Sequence, residues 1–165
     1  MKRRSLKNKT MEAKMFRKIK WELFLLGKLY IPILGYTKPK LIFLSEEEVR
    51  MKIKLRWRTK NHLKSMYFGA LAVGADTAAG LHAFYISRAQ NLKMSLAFKA
   101  VEGQFLKRAE TDVFFVCKQG KIVSDCLKES SKTGERVNQE LLIEAFNTHE
   151  ELVATFKMTL SVKVK

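Results

Sequence analysis

Cysteine is scarce in this chain. Cys117 and Cys126 are the two among 165 residues, with no C-x-x-C spacing and no second pair, which excludes a zinc ribbon and a disulfide framework. They read as ordinary buried thiols of a reducing cytoplasm. Two prolines and eight glycines rule out a collagen-like repeat or a proline-rich linker. Acidic residues are also few: 16 Asp and Glu stand against 32 Lys and Arg, a formal charge of +16 that draws polyanions such as nucleic acid, anionic lipid or phosphorylated ligands. What is plentiful is apolar: 47% hydrophobic and 10% aromatic residues are enough for one sizeable core without staples.

Long uncharged hydrophobic runs are rare too. The opening Met1-Lys-Arg-Arg is basic, but Glu22 and Lys28 interrupt the stretch from Trp21 to Leu34, so no signal-peptide h-region follows. The one stretch long enough to span a bilayer is Met66 to Ile86, about 31 Å as a helix. Its carboxylate, Asp76, would be costly at mid-bilayer, and His82, Gly69, Gly74 and Gly80 add to the objection. A helix buried beneath flanking strands is the reading adopted.

Residues 1–35 carry ten Lys and Arg against Glu12 and Glu22, half of the net charge. Met15, Ile19, Leu23, Leu26 and Tyr30 recur at helical spacing between them, so a basic amphipathic helix is expected over Met11 to Tyr30, ended by Pro32 and Gly35. Such a helix either docks on the body with a solvated charged face or lies on an anionic membrane surface. Residues 36–165 form the domain proper. Lys40 to Ser45 is a short strand. Val49, Met51, Ile53, Leu55 and Trp57 alternate with Arg50, Lys52, Lys54, Arg56 and Arg58, predicting one long strand with an apolar face and a face of five positive charges. Ser65 is placed to cap the Met66–Ile86 helix. Strands follow over Leu92–Ala100, a bulge or bend at Glu102-Gly103, Phe105–Ala109, then Val113–Lys118 and Ile122–Glu129 as a hairpin about Gln119-Gly120, and lastly Arg136–Phe146 and Leu152–Lys165. Six or so antiparallel strands and one helix that is apolar all round imply an α+β domain: a curved antiparallel sheet wrapped around a long central helix, with the N-terminal amphipathic helix added.

Asp76 stands out because nothing else between Met66 and Ile86 is formally charged. A carboxylate in such a layer either reaches a polar edge or is held in a pocket of low dielectric, where a raised pKa suits general-base or nucleophilic chemistry. The stretch Asn61-His-Leu-Lys-Ser-Met-Tyr-Phe-Gly69-Ala-Leu-Ala-Val-Gly-Ala-Asp76 resembles the signature of hotdog-fold acyl-CoA thioesterases of the phenylacetyl-CoA and 4-hydroxybenzoyl-CoA type. There an Asn before the helix is followed by His-Gly-Gly at its start and a carboxylate two turns later. It is similar, more closely, to a bacterial thioesterase branch of that superfamily without assigned function, in which an Asn precedes a Phe-Gly helix start. Tyr67-Phe68-Gly69 stand where the family has His-Gly-Gly.

The resemblance implies the hotdog fold and acyl-CoA thioester hydrolysis, with coenzyme A entering as part of the substrate and no metal or separate cofactor. It implies Asp76 as general base or nucleophile, Asn61 orienting water or carboxylate, and the Phe68 N–H polarising the carbonyl, with Ser65, Tyr67, Gly69 and Thr77 beside the substrate. It also implies a homodimer or dimer of dimers in which each site draws on two subunits. Ser65 and Thr77 have plainer readings, as a cap and as a helix residue bonded to its own turn. His62, His82 and His149 are too scattered to gather a metal. A competing function is a non-catalytic acyl-CoA or lipid-binding protein, cytoplasmic and held at the inner membrane surface by residues 1–35. Nucleic acid is disfavoured, because Trp57 is expected on the face opposite the positive ladder and stacking needs both on one surface.

Overall fold

A computed structural model describes the backbone of residues 2–165 and the side chains of residues 14–165. Helix α1 (Lys2–Leu25) runs into a π-helical turn over Leu26–Tyr30, breaks at Ile31, and restarts as α2 (Pro32–Thr37) with proline at the first helical position, where its missing N–H costs nothing. Ile19 and Leu23 of the expected apolar stripe are buried, Met15 is half-buried, and Leu26 and Tyr30 are exposed, so the helix docks along only part of that stripe. Met11 lies outside the described side chains. Glu22 pairs with Arg88 of the central helix and ties α1 to it.

Strands β1 (Lys40–Leu44), β2 (Val49–Ile53), β3 (Met94–Phe105), β4 (Val113–Cys117), β5 (Val137–Phe146) and β6 (Leu152–Val164) form one antiparallel sheet in the order β1-β2-β4-β5-β6-β3. Alternation works as expected in β2, where Val49, Met51 and Ile53 are buried. The long strand predicted through Arg58 nevertheless stops at Ile53. Asp112 Oδ1 accepts the Leu55 N–H at 2.9 Å, and Thr59 Oγ1 accepts the Arg56 N–H at 2.9 Å while donating to the Lys54 carbonyl at 2.8 Å. Side chains thus satisfy the backbone groups a neighbouring strand would have used, and Arg56-Trp57-Arg58 turn outward. The irregularity expected at Glu102-Gly103 falls instead between Phe98 and Ala100, and β3 runs on to Phe105.

Central helix α3 (Phe68–Ala89) packs on β2, β4, β5 and β6. Beside Leu71, Thr77, His82, Ile86 and Ser87, its buried face is made of small residues: Ala70, Gly74, Ala75, Ala78, Ala79 and Ala83. They bring the helix axis close to the sheet, and a β-carbon at Gly74 would fall inside the Phe115 ring's van der Waals envelope. The hairpin expected about Gln119-Gly120 is absent. Gly120–Thr133 forms helix α4, because Val123, Cys126, Leu127 and Ser130 are the buried positions, a helical rather than a two-residue period. Gly120 serves close approach and not a turn: its N–H donates to the Glu47 carbonyl, and a β-carbon there would collide with the Glu46 carbonyl. Cys117 and Cys126 are both free and buried.

Candidate active site

Asp76 lies on the third turn of α3 and lines an open cavity of about 450 Å³ with Ala72, Val73, Phe98, Val101, Met158 and, from α2, Ile33. Among the described residues Asp76 has no ion-pair or hydrogen-bond partner. Its carboxylate reaches solvent in the single chain, yet the apolar atoms packed about it strip away enough water to raise its pKa above the ordinary carboxylate range. Lys99, the extra residue of the β3 bulge, sits on the same wall. Bulges re-aim side chains where a strand borders a site.

Asn61 organises the loop before the helix. Its Oδ1 accepts the N–H groups of Leu63 at 2.9 Å and Ser65 at 3.2 Å, its Nδ2 donates to Ser65 Oγ at 3.0 Å, and its backbone N–H donates to the Ser65 carbonyl at 2.8 Å. Ser65 is therefore spent on Asn61 and does not cap α3; Tyr67 occupies the N-cap position without a side-chain bond. The loop is anchored by Met66 N–H to the Ala109 carbonyl and Tyr67 N–H to the Thr59 carbonyl, both 2.8 Å. What this anchoring presents is the bare start of α3, whose Phe68 and Gly69 N–H groups have no acceptor among the described residues. The rings of Tyr67 and Phe68 pack at a tilt with centroids 4.6 Å apart, Phe68 meets Phe105 of β3 edge-to-face, and Phe105 meets Phe156 in the same way. Gly69 leaves room for the Tyr67 ring, which lies 2.7 Å from where a β-carbon would stand.

The fold thus assembles Asn61, Ser65, Tyr67, Phe68 and Gly69 at one end of α3 and sets Asp76 two turns further on. Eight residues at about 1.5 Å each separate Phe68 from Asp76 by about 12 Å along the axis, too far for both to act on one carbonyl within a single chain. Thr77 is buried and its hydroxyl donates to the Val73 carbonyl at 2.6 Å, so it is engaged with its own helix. His82 is fully buried, with Nε2 3.2 Å from the Ser45 carbonyl and Nδ1 without a partner among the described residues. Burial lowers its pKa, and it does not line the Asp76 cavity. Sequence pattern does not mark Ile33, because residues 1–35 have the composition of an appendage; the signal is Pro32 followed by apolar residues, the start of a new helix rather than the end of an old one.

Solved structures of the same architecture include a candidate thioesterase from Shewanella oneidensis, with a TM-score of 0.78 and 12% identity over 89% of this chain and 99% of that one. A mutant thioesterase from Pseudomonas aeruginosa has a TM-score of 0.68 and 13% identity over 88% of this chain and 94% of that one. A thioesterase from Haemophilus influenzae has a TM-score of 0.59 and 12% identity over 80% and 82%. At these identities the likeness establishes the fold, which is the hotdog fold that the Asn61–Asp76 resemblance implied. Residues 24–162 match the family described as a domain of unknown function, DUF4442, and the chain belongs to that family. No curated protein matches the chain in sequence. Among the described residues no helix is long and apolar enough to cross a membrane.

Proposed function

We propose that the protein is a homodimeric acyl-CoA thioesterase. The observation that carries this reading is the unpaired Asp76 carboxylate, held above its ordinary pKa on the wall of an open apolar cavity. An ionised Asp76 takes a proton from water as the water oxygen attacks the thioester carbonyl carbon. The oxyanion that forms accepts from the Phe68 N–H at a helix N-terminus, and Asn61 fixes the loop that presents it. Collapse of the intermediate breaks the C–S bond; the coenzyme A thiolate leaves and is protonated, and the free acid remains. Attack by Asp76 itself, with a mixed anhydride later hydrolysed, uses the same groups.

A second subunit supplies what one chain cannot. The helix N-terminus and the carboxylate are about 12 Å apart on one α3, whereas β3 is an edge strand of 12 residues with Val101 and Phe105 exposed. Pairing of β3 with its symmetry mate extends the sheet, removes an unprotected edge, and sets the helix start of one subunit toward the Asp76 cavity of the other. Tyr67 and Phe68 then flank the acyl group, with coenzyme A present only as part of the substrate, in the cytoplasm. The aromatic pair in place of His-Gly also favours a second reading, an acyl-CoA binder without turnover, because it crowds the oxyanion position.

Hydrolysis of an acyl-CoA panel of varied chain length by purified protein, with Asp76→Ala in parallel, decides between them. Release of thiol by the wild type and its loss in the variant support the enzyme; turnover retained by Asp76→Ala would remove Asp76 from the mechanism, and tight binding without thiol release would favour the binder.

A further inference from the structure

A second, roomier cavity than the one at Asp76 lies elsewhere. It measures about 820 Å³ and opens between the α1–α2 segment and β1, within the size range of about 300–1,000 Å³ common for ligand sites. Its floor is apolar, from Leu23, Phe24, Leu34, Leu41 and Ile42, and its edges carry Lys20, Lys28, Lys38, Lys40 and Arg58. A contiguous cavity of about 430 Å³ shares Tyr36, Lys38, Lys40 and Arg58 and adds Lys54, Arg56 and Trp57. Among the described residues no Asp or Glu lines either space. None of these seven cations joins an ion pair among the described residues. The shape depends on Gly27 and Gly35, whose backbones touch where the π-turn meets α2; a β-carbon on Gly27 would stand 2.8 Å from the Gly35 nitrogen.

We propose that this double cavity is a binding site for an anionic phospholipid taken at a bilayer surface. An acyl chain lies on the Leu23–Leu34–Leu41 floor and the phosphate sits among Lys38, Lys40 and Arg58. Five like charges around the apolar cavity, with Lys54 and Arg56 in the space beside it, repel one another until an anion enters, and an amphipathic anion matches both the floor and the rim. The rim selects a bilayer over a free metabolite. Arg58 lies over the rings of both Tyr36 and Trp57, Trp57 is 72% exposed, and Trp21, also exposed, stacks on Phe24 at 5.5 Å. Exposed Trp and Tyr beside Lys and Arg suit the headgroup layer, where a soluble ligand would leave those rings in water. The site uses no residue of the proposed hydrolytic centre, so either can fail alone.

Of the chain's two tryptophans, Trp57 lines the second space and Trp21 stacks on Phe24 of the first, so intrinsic fluorescence reports on this region. The full chain is mixed with phosphatidylcholine vesicles containing or lacking phosphatidylglycerol, and co-sedimentation and emission are measured. Expected are at least tenfold tighter binding with phosphatidylglycerol, a blue shift, and quenching by brominated phosphatidylglycerol. Lys38→Ala/Lys40→Ala/Arg58→Ala and, separately, Ile42→Glu should each lose about tenfold, while Lys14→Ala/Arg17→Ala/Lys18→Ala, outside the cavity, loses far less. Bound protein with unshifted, unquenched emission would overturn the site even if a variant misfolds. So would equal loss in all three variants, which is adsorption by net charge, or displacement of the vesicles by free coenzyme A or inorganic phosphate at matched concentration, which assigns the cations to a soluble phosphate.

Discussion

Two cavities lie on either side of the short helix α2, and they are opposites. Ile33 faces the Asp76 cavity, where one carboxylate and Lys99 are the charged groups in an apolar wall. Pro32, Leu34, Gly35 and Tyr36 face the N-terminal cavity, where five cations, with Lys54 and Arg56 in the space beside it, gather with no acid among the described lining residues. Charge in a protein is informative where it is left uncompensated. The solvated pairs elsewhere, such as Lys107 with Glu151 at 2.7 Å, are exposed and worth little. The unpaired Asp76 and the unpaired cations each mark a place where the fold tolerates electrostatic cost, one suited to chemistry and the other to holding an anion.

The contrast can be broken most sharply at Asp76. Asp76→Asn should lower acyl-CoA hydrolysis by about 10²–10⁴-fold, the usual worth of a general base, and leave vesicle binding unchanged. Loss of both functions together would mean that the two cavities are one site. The same substitution tests the electrostatics. A carboxyl whose folded pKa is raised costs nothing below its unfolded value, and its penalty grows as pH rises until it is ionised in the folded state too. Asp76→Asn should therefore raise Tm relative to wild type at neutral pH, with the difference vanishing as pH falls to about 4. The acid limb of kcat/KM should lie above the ordinary Asp range for the same reason, since the base must be ionised to act; a limb at the ordinary value would show the carboxylate to be well solvated.

Next in size is the packing that positions Asp76. Gly74→Ala pushes α3 off the Phe115 ring and should cost about 1–3 kcal/mol in urea unfolding, the range for overpacked cores. An unchanged midpoint would mean the helix has slack against the sheet, and the fixed spacing from Phe68 to Asp76 would lose its structural basis. Cys117 offers a further check on that core. Burial pushes its thiol up to about 11, so native protein at neutral pH should resist alkylation at this residue while unfolded protein reacts.

How much of this was legible in the sequence follows from the range over which each signal acts. Asp76 and the α3 helix were legible because twenty-odd residues with a single charge need no partner to be noticed. Asn61 was legible only through the family resemblance of the Asn61–Asp76 stretch, and its bonds to Ser65 and Leu63 were not. The α4 helix is hidden in the sequence because Gln119-Gly120 looks like a turn, when Gly120 answers to Glu46, more than seventy residues earlier. The five-charge strand face dissolved for a similar reason: Asp112 and Thr59 end β2 early and hand Lys54, Arg56 and Arg58 to the N-terminal cavity. That cavity was illegible, since it joins residues 20 to 58 through the contact of Gly27 with Gly35.

The smallest expected effect concerns the partition itself. Ile33 is half exposed and touches the Asp76 cavity from a helix whose next residues line the other one. Ile33→Ala widens that wall without removing a charge or a hydrogen bond. It should shift KM across the acyl-chain panel by a few-fold, toward longer chains, with kcat for the preferred chain and vesicle binding both retained, because the lost contact is made equally in ground and transition states. A fall in kcat at unchanged KM would instead place α2 in the transition-state geometry. A parallel loss of vesicle binding would show that α2 moves as a unit, so that filling one cavity reshapes the other.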